Sequence, residues 1–184
     1  MIIDESGVLL APLVKRTLAP KGHTPVLTVR TRHRQKVSAI AALTCSPVHK
    51  KLRLFFALHK DVSINHQRVA WFLGQLLRHL RGGKLLVIWD NGRMHRGQAI
   101  RRLLTRTGRL RLFPLPPYAP ECDPVEPLWS TLKAHRLANY APHTLEELHA
   151  AAHRHLHAIA GQPDLLAGFF NASKLRRPRR TLVR

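Results

Sequence analysis

The stretch Lys84-Leu-Leu-Val-Ile-Trp-Asp-Asn-Gly92 decides the fold. Its apolar run, Leu85 to Trp89, is too short for a helix of about ten residues and lacks the alternation of a strand with one wet face. A strand covered on both faces, as parallel strands usually are, satisfies both facts. Working outward, Val69, Phe72, Leu73, Leu76, Leu77 and Leu80 recur at three and four residues, which predicts an amphipathic helix from about residue 63, ended by Gly82 and Gly83. On the other side, Ile100, Leu103 and Leu104 predict a second helix over residues 94–105, and residues 110–114 a further strand. Strands alternating with helices imply a parallel pair.

The first third differs. Residues 1–4, 8–13, 25–29, 37–44 and 52–58 are short apolar stretches between turn residues, which predicts an antiparallel meander, with Arg30, Arg32, Arg34 and Lys36 at an exposed hairpin turn. Beyond the Pro-rich turn at 114–120, Asp123, Pro124 and Glu126 form a capping-box pattern for a helix to about Asn139. Thr144 with Glu147 starts another, to about Ile159, and residues 163–170 suit a short last helix. The expected architecture is α/β, a mixed sheet with flanking helices over residues 1–172, followed by a basic tail at 173–184 that is expected to be disordered.

Composition bounds the function. The 184 residues carry 31 Lys plus Arg against 10 Asp plus Glu, a formal charge of +21. Because 22 of the basic residues are Arg, a GC-rich genome accounts for part of that bias, but not for the scarcity of acids. A polyanion, nucleic acid, is the expected partner. The longest uninterrupted apolar run falls far short of the roughly 20 residues that span a bilayer, and no charged-then-apolar leader opens the sequence. Two cysteines, Cys45 and Cys122, build neither a disulfide framework nor a zinc site. These features predict a cytoplasmic, nucleoid-associated protein with no membrane partner.

With ten acids, placement is informative. Asp4 and Glu5 end the first apolar stretch, Asp90 ends the buried strand, and Glu121, Asp123 and Glu126 surround a helix start. If the first strand lies beside the one ending at Asp90, Asp4 and Asp90 meet, and the helix from Asp123 can add a third carboxylate. Such a cluster repels itself unless cations sit within it, and hard Mg²⁺ or Mn²⁺ fits carboxylate oxygen. Two ions would clamp the oxygens of a phosphodiester displacement, with Asp90 bridging them. Each residue also has an ordinary explanation: a polar strand end for Asp4, a turn for Asp90-Asn91-Gly92, a cap for Glu126.

Two longer strings resolve that choice by resemblance. Val87-Ile-Trp-Asp-Asn-Gly-Arg-Met-His95 and Leu115-Pro-Pro-Tyr-Ala-Pro-Glu-Cys-Asp-Pro-Val-Glu-Pro-Leu-Trp129 resemble the second and third catalytic blocks of mariner-superfamily DDE transposases, in their bacterial insertion-sequence branch. Ile3-Asp-Glu-Ser-Gly7, with Arg16 and the Ala19-Pro-Lys-Gly22 turn, resembles the first block. The resemblance covers roughly residues 1–140. It implies an RNase H-like core with a central five-stranded mixed sheet, and a metal-dependent endonuclease and strand transferase that cuts transposon ends and joins them to target DNA. It makes Asp4, Asp90 and Glu126 the catalytic and metal-holding triad for two Mg²⁺ or Mn²⁺ ions, with 35 residues between the last two. Glu5 matches a frequent Asp-Glu pair and is not expected to ligate. Double-stranded DNA is the implied partner, held by Arg93, Arg96, Arg101, Lys133, Arg136, Arg176 and Arg177, with a homodimer in the DNA complex.

There are departures from the pattern. Asp123 stands where these enzymes often carry Asn, and Leu18 where Trp is common. Their N-terminal helix-turn-helix region has no counterpart ahead of Asp4, which predicts an upstream-encoded helix-turn-helix partner or fusion. The alternative is an inactive, truncated relic that only binds DNA. Trp129 is expected to pack its helix on the sheet, Trp71 and Trp89 to lie in the core, His95 on a helix surface, and His149, His153, His155 and His157 on a solvated helix face rather than at a metal.

Overall fold

The computed structural model, which describes residues 1–29, 35–80, 82–90, 92, 97–117 and 119–175, places Leu85–Trp89 in the interior of a sheet. The strands are β1 (Ile2–Leu9), β2 (Lys36–Cys45), β3 (Leu52–Lys60), β4 (Leu85–Trp89) and β5 (Leu110–Pro114), in the order β3-β2-β1-β4-β5. β1, β2 and β3 pair antiparallel, while β4 runs parallel to both β1 and β5. This is the mixed five-stranded sheet of an RNase H-like fold, as the resemblance implies.

Each sheet face meets its own helical layer. On one side α1 (His66–His79) and α2 (Gln98–Arg106) cover Ile3, Ile40, Ala42, Val87 and Leu110. On the other, α3 (Glu126–Thr131), α4 (Leu145–Ala160) and α5 (Pro163–Ala172) cover Ile2, Val8, Ala39, Ala41 and Leu43. The period of two sends alternate residues of β2 to opposite faces, both of them covered, so the strand is buried from Val37 to Thr44, with Val37 and residues 39–42 fully enclosed. Asn65 caps α1 by accepting from the N–H groups of Gln67 and Arg68, and Thr144 caps α4 by accepting from Glu147 N–H at 3.1 Å. The far end of α1 is closed from a distance: the Arg109 guanidinium donates to the carbonyls of Leu77, Leu80, Gly82 and Gly83. Among the described residues no helix is long and apolar enough to cross a membrane.

Several expectations are corrected. Residues 1–4 and 8–13 are not two strands: β1 is continuous to Leu9, because Glu5, Ser6 and Gly7 stay paired with Ile40, Ala39 and Ser38. The polar residues that read as a break are held by the ladder of a buried neighbour. Residues 25–29 form no strand, and Val26 is 89% exposed; among the described residues no strand pairs with them. The expected hairpin turn at Arg30, Arg32 and Arg34 lies outside the described residues. α2 begins at Gln98, after Gly97 in an extended conformation, and residues 94–96 of the expected helix lie outside the described residues. The helix expected from Asp123 to Asn139 is α3 followed by a π-helical turn, Leu132–Arg136. Its capping box does not form, because the Asp123 N–H is used by the Pro120 carbonyl at 2.9 Å.

Candidate active site

The register of the parallel pair builds the site. Ile2 lies opposite Ile88, and continuing by two residues on each strand sets Asp4 level with Asp90. β4 stops at Trp89 while β1 continues along β2, so Asp4 sits where β1 loses its parallel neighbour. Ile2 and Ile88 both pack on the α3–α5 layer, which gives Asp4 and Asp90, two residues further on, that same face. The chain returns through a turn at Pro120–Cys122 and enters α3 at Glu126. A cavity of about 600 Å³ results, lined by Asp4, Asp90, Gly92, Leu115, Pro116, Pro117, Ala119, Pro120, Asp123 and Glu126.

The three residues expected as the triad therefore share one cavity. Each is positioned differently. The Trp129 indole N–H, from the helix that carries Glu126, donates to Asp4 Oδ2 at 2.8 Å, which ties α3 to β1. The Gly92 N–H donates to Asp90 Oδ1 at 2.8 Å, and a Cβ at Gly92 would stand 2.9 Å from that oxygen. Glu126 is exposed at the first position of α3. Trp129 thus does more than the packing expected of it, and its string of motif residues was the signal. Glu5 is not among the cavity residues, and Glu121 is exposed and paired with Lys174 at 3.3 Å.

A fourth carboxylate joins them. Asp123 is 6% exposed, and its Oδ1 accepts from Val125 N–H at 2.7 Å. Burial first, then the Asp123 charge, pushes the Asp4 carboxyl up to about 7, against hydrogen bonds from the Glu5 backbone and the Trp129 indole. Burial likewise pushes Asp123 up to about 6; the Val125 N–H opposes this, while the charges of Glu126, Asp90 and Glu5 add to it. Among the described residues no Lys, Arg or His lines the cavity, in a protein of charge +21. Such all-oxygen, anionic donors fit Mg²⁺ or Mn²⁺. Among the described residues no three His, Cys, Asp or Glu side chains already converge as an ion cage, so an ion would have to gather these carboxylates across the open cavity.

The expected DNA-binding residues divide. Arg101 is exposed on α2, Arg136 is exposed and Lys133 half-buried on the π-helical turn after α3, and none of them lines the cavity. Arg93, Arg96, Arg176 and Arg177, and His95 with them, lie outside the described residues. The histidines of α4 behave as a packed and solvated face: the His153 ring meets Phe56 edge-on and stacks with His157. Trp89 is in the core as expected, whereas Trp71 is 51% exposed against His59, because it lies on the outer side of α1.

Comparison with known proteins agrees with this fold. The mariner Mos1 paired end complex with Mg matches with a TM-score of 0.64 at 17% identity, over 93% of this chain and 52% of that one. The Mos1 strand transfer complex matches with a TM-score of 0.54 at 21% identity, over 96% and 56%. At such identities the likeness is one of fold, and this chain spans about half the length of the Mos1 chains it matches. No curated protein matches. The family model described as DDE superfamily endonuclease covers residues 1–149, which contain the whole sheet, the cavity and all four of its carboxylates. On that match the chain belongs to the DDE superfamily of endonucleases.

Proposed function

We propose that this chain is the catalytic domain of a DNA transposase of the bacterial insertion-sequence type, which cuts transposon ends and transfers the strands into target DNA. The observation that carries this reading is the shared cavity of Asp4, Asp90 and Glu126, which no basic side chain lines among the described residues, in an otherwise strongly cationic chain. Asp4, Asp90 and Glu126 would hold two Mg²⁺ or Mn²⁺ ions, with Asp90 between the other two. Bound there, the ions supply Lewis-acid activation of water and of a 3′-hydroxyl and charge stabilisation at phosphorus. The chain's own contribution is positional: Trp129 fixes the rotamer of Asp4, Gly92 that of Asp90, and the α3 start presents Glu126. The matched Mos1 assemblies are described as paired-end and strand-transfer complexes, which supports transposon-end and target DNA as partners here.

Arg93, Arg96, Arg101, Lys133, Arg136, Arg176 and Arg177 would hold the phosphate backbone without reading sequence, so DNA affinity should fall steeply with salt. End recognition would come from a helix-turn-helix partner or fusion, and the active assembly would be a homodimer on nucleoid DNA. The basic residues of the tail at 173–184 would add contacts to phosphate.

The test is Mn²⁺-dependent nicking of supercoiled plasmid by the wild type beside Asp90→Asn and Glu126→Gln. Nicking by the wild type alone is expected. Equal DNA binding without nicking in all three would replace this reading with that of an inactive, DNA-binding relic.

A further inference from the structure

Asp123 has a role beyond its turn. Among the described residues it is the only ionisable side chain that is almost wholly buried. Its Oδ1 makes one bond that supports the turn, to Val125 N–H, and among the described residues no donor takes its Oδ2. An Asn would make the same Oδ1 bond without bringing a charge out of water, and burying an unpaired charge is costly. The carboxylate is therefore a liability to the fold taken by itself. Its surroundings sharpen the point: among the described residues the cavity it lines holds three more carboxylates and no cationic side chain, in a chain with Lys and Arg in large excess.

We propose that Asp123 is a fourth cation-holding carboxylate of this cavity, acting through its Oδ2 on a divalent ion or on a water bound to one. The proposal rests on the reading of the cavity as a divalent-cation site. It adds to the triad a residue that the family pattern does not assign, three positions before Glu126 and rigidly placed by the Val125 bond. With four carboxylates instead of three, the chain holds its ions more tightly than an Asn-bearing relative would. It also needs less help from DNA phosphate to keep them.

Mn²⁺ binding to the full chain, followed by calorimetry and by the electron spin resonance of free Mn²⁺ at one fixed pH, tests this without any activity readout. The variants are Asp123→Asn and Asp123→Ser, both uncharged and both able to accept from Val125 N–H, with Asp90→Asn for comparison. The expected result is a loss of about tenfold in Mn²⁺ affinity in both Asp123 variants, the size typical of a supporting ligand, and a larger loss in Asp90→Asn. Melting curves without metal check that each variant is folded. Wild-type affinity in Asp123→Asn overturns the proposal and leaves the triad intact. A loss in Asp123→Ser alone assigns the residue to turn support and also overturns it. Absence of Mn²⁺ binding by the wild type fails the cation-site reading itself, and this proposal with it.

Discussion

Replacing Trp129 by Phe isolates the bond that joins the helix of Glu126 to the strand of Asp4. Trp129 is 3% exposed, and its indole N–H lies 2.8 Å from Asp4 Oδ2. A hydrogen bond to a charged group contributes about 1.5–3 kcal/mol, and the smaller ring leaves unfilled space worth about 1 kcal/mol more. The total, about 3 kcal/mol, corresponds to a fall in Tm of about 6–12 °C for a chain of this size. The bond itself is separated from the packing by a double-mutant cycle with Asp4→Ala, using urea denaturation without metal. Because Asp4 is raised to about 7, it is charged at pH 8 and protonated at pH 5.5. The coupling energy should therefore be about 1.5–3 kcal/mol at pH 8 and shrink toward the roughly 1 kcal/mol of a neutral bond at pH 5.5. No coupling at pH 8, or equal coupling at both, would refute the assignment of this bond as the tie that orients a charged Asp4.

The raised values of Asp4 and Asp123 also give the metal-free protein a signature of its own. A carboxyl that binds its proton more tightly folded than unfolded contributes most at low pH, and stability falls as pH rises from the ordinary value of 3.8 through about 6 and 7. Asp123→Asn should accordingly raise Tm at pH 8 and leave it nearly unchanged at pH 4; a uniform shift would contradict the cause given for these values. At the start of α2, Gly97→Ala would place a Cβ 2.1 Å from His66 Cγ and 2.3 Å from its Cβ, so α1 and α2 must separate. A loss of about 2–3 kcal/mol in urea denaturation is expected. Arg109→Met removes the donor shared by four carbonyls in and just beyond the last turn of α1, and should cost about 2 kcal/mol and reduce hydrogen-exchange protection in that turn.

Much of the fold is legible because the signals are local. Leu85–Trp89 and Leu110–Pro114 are read from the sequence with the same bounds the structure gives, since a short, largely apolar stretch between glycines or prolines has few other uses. Thr144 and Glu147 mark α4 for the same reason: the Thr144 side chain meets the N–H three residues on. That Asp4, Asp90 and Glu126 would share a site follows from the family resemblance carried by the proline-rich third block, and they do line one cavity. What fails is whatever depends on a distant partner. Glu5, Ser6 and Gly7 look like a break until β2 is placed beside them, and residues 25–29 look like a strand until no neighbour is found. Asp123 looks like a helix cap until Pro120 takes its N–H.

The sequence by itself determined the element types, the α/β class, the cationic surface and the three acids expected to share a site, because periodicity, caps and charge are properties of neighbouring residues. Only the tertiary structure decided that Asp123 stands buried beside those acids, that Trp129 hydrogen-bonds Asp4, and that Arg109 closes α1. Those contacts link residues far apart in the chain or set burial by the packing of separate layers, and no local pattern encodes a distance that only the assembled sheet and helices define.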